Sequence, residues 1–197
     1  QADRGIMRLT VSRRTSCRLC GSVRVDLAVP IKSSPIADAY VPAGRLGETQ
    51  ASYPLDLYLC RSCGHVQLLD VVAPETLFSD YIYSSSASPS LVEHFRRYVD
   101  DLIRRFDLSP NALAIDIGSN DGTFLRLLKD RGLCVLGVDP ARGIAGQATE
   151  SGIETIPAFF SSTLAHSLRS ERGPAALVTA NNVFAHADDL PDVAEGI

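Results

Sequence analysis

The chain has 197 residues, of which 45% are hydrophobic and 21% charged, a composition that suits one or two globular domains with a core of their own. A net charge of −4, with no basic run longer than Arg13-Arg14, argues against nucleic acid as a partner. No stretch reaches the roughly 18 uninterrupted apolar residues of a membrane span, and the N-terminus lacks the apolar core of a signal peptide, so the expectation is a cytoplasmic protein without a membrane partner.

In chain order, the only methionine is Met7, which marks either the natural start or the end of a short leading remnant, residues 1–6. Residues 1–75 read as a metal module. Cys17-x-x-Cys20-Gly21 and Cys60-x-x-Cys63-Gly64 are matching pairs with 39 residues between Cys20 and Cys60. Two residues between cysteines allow a tight knuckle that aims both sulfurs at one point. The following glycine permits the positive φ that closes the turn, and two knuckles complete a tetrahedral site best suited to structural zinc. Two disulfides or a redox Cys-x-x-Cys are the alternatives. His65 is a neighbour that could substitute for a sulfur, and more simply is a surface residue. Between the knuckles, 27–30, 41–42 and 53–59 carry short extended patterns without helix signals. The spacing predicts a hairpin of 57–59 with 66–72, the metal at its tip.

Residues 76–90 form a Tyr/Ser-rich connector. Its plain reading is a linker, but Tyr81 and Tyr83 at alternate positions are costly to leave exposed, and their hydroxyls suit the orientation of a ligand. Ser88-Pro89 then caps an amphipathic helix with apolar Leu91, Val92, Phe95, Val99, Leu102, Ile103 and Phe106 on one face. His94 is given no role.

From 112 onward, strands alternate with helices: strands at 112–117, 133–138, 153–157 and 175–179, helices at 123–131, 141–150 and 161–168. This predicts an α/β fold with a parallel sheet, with ligands beyond the carboxyl ends of the strands. Cys134 reads as a small core residue of the second strand. The first strand ends in Asp116-x-Gly118-x-x-x-Gly122, a tight turn into a helix whose free N–H groups attract polar or anionic groups. It is neither Gly-x-Gly-x-x-Gly nor a triphosphate loop. The second strand ends in Asp139-Pro140, where a carboxylate meets a ribose. The turn resembles the first motif of class I S-adenosylmethionine-dependent methyltransferases; an ordinary βα turn is the alternative. After the fourth strand, Asn181 and Asn182 offer amides and His186 a titratable group. The segment 188–197 opens like a helix, with Pro191 as an early residue, and then stops. Four strands where about seven are expected predict a C-terminally incomplete domain, 91–197, with strand 175–179 at an unpaired edge.

The ordered set Cys17-x-x-Cys20, Cys60-x-x-Cys63-Gly64, Tyr81-x-Tyr83-x-Ser-Ser86-x-Ser88, the turn from Asp116 to Thr123, and Asn181-Asn-Val-x-Ala-His186 resembles the zinc-containing sugar C-methyltransferases of deoxysugar biosynthesis. The resemblance implies a zinc module followed by a Rossmann-like methyltransferase domain that acts on a nucleotide-linked 4-keto sugar by enolate formation and methyl transfer. It implies Tyr81 and His186 as catalytic residues. It implies Tyr83, Ser86, Asp116, Gly118, Ser119, Asn120, Asp139, Pro140 and Asn181 around the cofactor, and Cys17, Cys20, Cys60 and Cys63 on zinc. In that family the main histidine base and its glutamate neighbour come from a C-terminal part, which this chain is expected to lack and which would complete the site. An O- or N-methyltransferase and a non-catalytic cofactor-binding module are the rival readings.

Overall fold

A computed structural model describes residues 11–37, 39–79 and 81–197. The expectation about Met7 and residues 1–6 lies outside them, as does Asp80 of the connector. The chain divides into two compact units, Gln1–Phe78 and Ser79–Ile197.

The first unit holds β1 (Val11–Arg13), β2 (Val25–Val29), β3 (Leu57–Cys60), β4 (Val66–Leu68), β5 (Asp70–Val72) and the short helix α1 (Pro74–Phe78). Strands β2, β3 and β4 form an antiparallel sheet, and β3 and β4 are the predicted hairpin around the second knuckle. Segment 66–72 is not one strand, however. It breaks at buried Leu69, and β5 leaves to pair antiparallel with β1, anchored where Arg14 N–H donates to the Leu69 carbonyl at 2.8 Å. The predicted strand 53–59 begins only at Leu57, with a lone bridge from Ser34 to Tyr53 before it; Pro54, which lacks an N–H, interrupts the ladder. Residues 41–42 are not a strand either but lead into a single 3₁₀ turn, Ala43–Arg45. Helix α1 begins at Pro74, so the connector region opens with a helical turn and not with a linker; proline is well tolerated at that first position.

The second unit holds α2 (Pro89–Phe106), β6 (Leu113–Ile117), α3 (Thr123–Asp130), β7 (Cys134–Val138), α4 (Arg142–Glu150), β8 (Thr155–Ile156), α5 (Ser162–Arg172), β9 (Leu177–Thr179) and α6 (Leu190–Gly196). Its sheet is parallel in the order β8-β7-β6-β9, with β9 at one edge. Strand order therefore reverses between β6 and β9, which opens a crevice beyond their carboxyl ends. Ser88 caps α2 as predicted, accepting from Leu91 N–H at 3.4 Å, with Pro89 at the first turn.

Alternation along β6 serves two cores. Ala114 joins Phe95, Val99 and Leu102 of α2 and Phe124, Leu125 and Leu128 of α3 on one face, while Ile115 joins Leu136, Val138 and Leu168 on the other. Two expectations about these cores need correction. Phe106 is exposed, because α2 ends there and the chain turns at Asp107 with φ 48°; Tyr98 packs instead, against Phe124 at 5.6 Å. Cys134 is exposed, because it is the first residue of β7, where the strand emerges from the sheet's lower rim.

Candidate metal and cofactor sites

The two knuckles are built alike. Gly21 and Gly64 have φ of 72° and 77°, and their N–H groups donate to the Cys17 and Cys60 carbonyls, both at 2.9 Å. The four sulfurs of Cys17, Cys20, Cys60 and Cys63 lie within 4.8 Å of one another. The closest pairs, Cys17 with Cys63 at 3.7 Å and Cys20 with Cys60 at 3.6 Å, run between knuckles. Zinc–sulfur bonds of about 2.3 Å set tetrahedral edges of about 3.8 Å, so the cluster fits zinc; disulfides near 2.05 Å do not describe it.

Burial works against the Cys17 thiolate, yet the Cys20 and Leu19 amides and the Gln67 side chain bring its pKa down to about 6. The His65 amide lowers the pKa of Cys63, but burial and the three neighbouring sulfurs push it up to about 12. His65 thus serves the site through its backbone, and its carbonyl accepts from Cys60 N–H at 2.9 Å. Gln67 is a residue that sequence reading missed. It is buried on β4, and its Oε1 accepts from Arg18 N–H at 3.0 Å, joining the strand after the second knuckle to the backbone of the first. A lone glutamine in a strand gives no sequence signal of this.

The glycine turn sits between β6 and α3. Gly118 has φ 67°, and a Cβ there would come within 2.4 Å of Val183 Cγ2 on the loop after β9, so glycine is required both by conformation and by space. The amides of the turn largely have protein acceptors, either in the turn or at the end of β7. Gly118 N–H donates to the Val138 carbonyl at 2.7 Å, Asn120 N–H to Asp139 Oδ2 at 2.8 Å, Gly122 N–H to the Ser119 carbonyl at 3.0 Å, and Thr123 N–H to Asp121 Oδ1 at 3.1 Å. The expectation that free N–H groups here attract an anion is therefore corrected for these residues. Three carboxylates, Asp116, Asp121 and Asp139, take that place.

Asp139 directly follows β7, and its Oδ1 accepts from Ala141 N–H at 2.9 Å across Pro140. Each oxygen thus keeps a further acceptor position. Burial raises its pKa against the pull of the Ala141 and Asn120 amides. Asp116 is buried beneath the crevice, accepting from Thr179 Oγ1 at 2.6 Å and from Asn181 Nδ2 at 3.5 Å. Burial pushes its pKa up to about 7, opposed by those two bonds and reinforced by Asp139. Ser119 is also buried, its hydroxyl over Gly137, where a Cβ would lie 2.4 Å away.

The Tyr/Ser segment is no linker. Asn120 Nδ2 donates to the Tyr83 carbonyl at 2.8 Å, Ser85 N–H donates to Asn120 Oδ1 at 2.9 Å, and the Ser84 hydroxyl and Ser86 N–H both donate to Asp121 Oδ2. Tyr81 and Tyr83 have ring centroids 6.4 Å apart. The structure therefore brings Tyr83, Asn120 and Asp139 into one bonded set, with Ser86 tied to the adjacent Asp121, and Asp116 and Asn181 into a second. Tyr81 and His186 stand on the two segments that border the turn, the Tyr/Ser strap and the loop after β9. His186 closes a 3₁₀ turn, Phe184–His186, three residues beyond Val183. Ser84 and Thr179 were not singled out in the sequence, since serine and threonine in such positions are common.

Comparison with known proteins agrees with both halves. A family described as "Putative zinc binding domain" matches residues 17–78, and one described as "Methyltransferase domain" matches residues 91–197. C-methyltransferase NovU of Streptomyces niveus is 35% identical over 181 residues; this alignment covers 92% of this chain but 43% of NovU, so the chain spans less than half the length of that relative. Among solved structures, the plantazolicin methyltransferase BpumL in complex with SAH shows 14% identity and a TM-score of 0.41, covering 52% of this chain and 39% of that one. Magnesium protoporphyrin IX methyltransferase (ChlM) from Synechocystis PCC 6803 with bound SAM shows 19% identity and a TM-score of 0.37, covering 50% and 49%.

Proposed function

We propose, because this chain belongs to the methyltransferase-domain family, that its second unit holds S-adenosylmethionine at the glycine turn and that the protein methylates a carbon of a nucleotide-linked 4-keto deoxysugar. One observation supports this cofactor above a dinucleotide: the turn is lined by carboxylates, and the amides that would cradle a pyrophosphate already have partners, in the turn itself or in Val138 and Asp139. A ligand with a ribose and a cationic sulfonium, and no phosphate, suits such a site. The C-methyltransferase relative supports carbon as the acceptor atom.

When bound, the sulfonium supplies an electrophilic methyl group. The residues of this chain supply the cofactor site and part of the substrate site. Asp139 accepts from the ribose hydroxyls with the positions its two amide bonds leave open. Asp116 fixes Asn181 and Thr179 at the crevice between β6 and β9. Tyr81 and His186 hold the keto oxygen, while the base that takes the proton of the adjacent carbon comes from the C-terminal part of the protein; that carbon becomes nucleophilic when the proton leaves and the charge is held on oxygen. Cys17, Cys20, Cys60 and Cys63 hold zinc as a closed structural site, since four thiolates leave no position for water or substrate. The connector and the boundary near residue 76 are proposed as the join between the zinc module and the methyltransferase domain.

The test is calorimetry with S-adenosylhomocysteine and NADH, followed by methyl transfer to a nucleotide-linked 4-keto sugar. Binding of the first ligand and not the second is expected. NADH binding of comparable strength would overturn the reading, and transfer to oxygen or nitrogen alone would overturn the carbon assignment.

A further inference from the structure

Asp121 has no part in the ligand contacts proposed above, yet its carboxylate faces two ways. Oδ1 accepts from Thr123 N–H at 3.1 Å and so starts α3. Oδ2 accepts from the Ser84 hydroxyl and, at 2.9 Å, from Ser86 N–H, while the Ser84 and Ser86 hydroxyls lie 2.8 Å apart. Next to it, Asn120 exchanges bonds with Tyr83 and Ser85. Residues 83–86 are thus stitched to two consecutive turn residues.

Apolar burial contributes little to this attachment, for Ile82 and Tyr83 are 57% and 42% exposed. Polar contacts set its place, and bonds to an ionised acceptor are the strong ones among them. Burial works against the carboxylate, but the Ser84, Thr123 and Ser86 bonds bring its pKa down to about 2, so it stays ionised through the working range of pH.

We infer that Asp121 is a positioning residue of the cofactor site: its carboxylate clasps segment 83–86 onto the glycine turn, and tight binding of the adenosyl cofactor requires the clasp closed. The inference rests on the S-adenosylmethionine reading above. The link runs through Asn120, whose side chain bonds Tyr83 and Ser85 and whose backbone N–H donates to Asp139 Oδ2. A segment released from Asp121 keeps the Asn120 side-chain bonds to Tyr83 and Ser85, and its motion is passed through Asn120 to the carboxylate assigned to the ribose.

Asp121→Asn is the discriminating variant. Its remaining oxygen can still serve Thr123 N–H and keep the helix start, while its NH₂ meets Ser86 N–H, donor against donor. S-adenosylhomocysteine affinity by calorimetry and amide exchange at Ser85 and Ser86 are read together, with Asp121→Glu as the charge-retaining control. In Asp121→Asn, binding weakens about tenfold and Ser86 exchanges at least about tenfold faster, with β6 and β7 unchanged, as the loss of a hydrogen bond to a charged group implies. Adding Ser84→Ala to Asp121→Asn costs little more, and Asp121→Glu recovers part of the affinity. Wild-type affinity in Asp121→Asn, or unchanged exchange at Ser86, overturns the inference. If the unaltered chain binds no S-adenosylhomocysteine, the cofactor reading fails. The clasp is then judged by exchange alone: faster at Ser86 in Asp121→Asn upholds it, and equal rates overturn it.

Discussion

Replacing Asp139 by alanine removes two things at once, and the structure allows them to be separated. The carboxylate accepts from Asn120 N–H at 2.8 Å and from Ala141 N–H at 2.9 Å, and the residue is 7% exposed. Loss of both acceptors leaves two amides poorly satisfied, at about 1 to 3 kcal/mol each, so Asp139→Ala should lower stability by about 2 to 6 kcal/mol. Its pKa is raised by burial, which places the native carboxylate under some penalty and favours the lower part of that range. Ligand binding should weaken by a further 1.5 to 3 kcal/mol, roughly, for the ribose contact. Urea titration measures the first loss and calorimetry the second. The ribose assignment is isolated by comparing S-adenosylhomocysteine with its 2′-deoxy analogue: the unaltered protein should prefer the hydroxylated ligand by about tenfold, and Asp139→Ala should not distinguish them. Equal affinities in the unaltered protein would refute the ribose contact. Unchanged stability in Asp139→Ala would refute the joining of the two loops.

The metal site predicts about one zinc per chain by elemental analysis, with Cys60→Ser releasing it; less than a tenth of an equivalent in fresh protein would reject the site. Gly118→Ala should cost about 1 to 2 kcal/mol for its φ of 67° alone, and more for the contact with Val183, read as a lower denaturation midpoint; an unchanged midpoint would show that the turn can rearrange. Asp116 predicts a pH dependence. Burial raises its pKa from 3.8 to about 7, so between those values the folded chain holds a proton that the unfolded chain has lost. Its stabilising contribution is full below about 4 and falls as pH rises to 7, by at most about 4 kcal/mol. Asp116→Asn should flatten that slope, and a slope unchanged by the substitution would exclude Asp116 as its source.

The sequence was most readable where local chemistry and periodicity agree. The cysteine knuckles, the Ser88-Pro89 helix start and the alternation from Leu113 onward each follow from residue spacing. It was least readable where a residue's partner lies far along the chain. That Gly118 faces Val183, that Asp121 holds Ser84, and that Gln67 holds Arg18 are contacts across 65, 37 and 49 residues, with no pattern to announce them. The Tyr/Ser segment shows the same limit: its composition alone is equally that of a linker, and its bonds to Asn120 and Asp121 cross 35 to 37 residues. Cys134 and Phe106 show the reverse error, apolar residues at the end positions of elements, the first of β7 and the last of α2, where periodicity continues but the core does not. No helix among the described residues is long and apolar enough to cross a membrane.

The division of the chain at Phe78 and Ser79 determines how its energetics must be counted. The sulfurs lie in one unit, and the parallel sheet with its two cores lies in the other. The free energy of binding a structural metal is folding free energy for the part that encloses it. Chelation thus removes free energy from the first unit and lowers its transition, whereas saturation with a nucleoside ligand raises that of the second by mass action. A single melting temperature is not a well-defined quantity for such a chain. Heat-capacity traces recorded with chelator, with ligand and with both assign each transition to its unit.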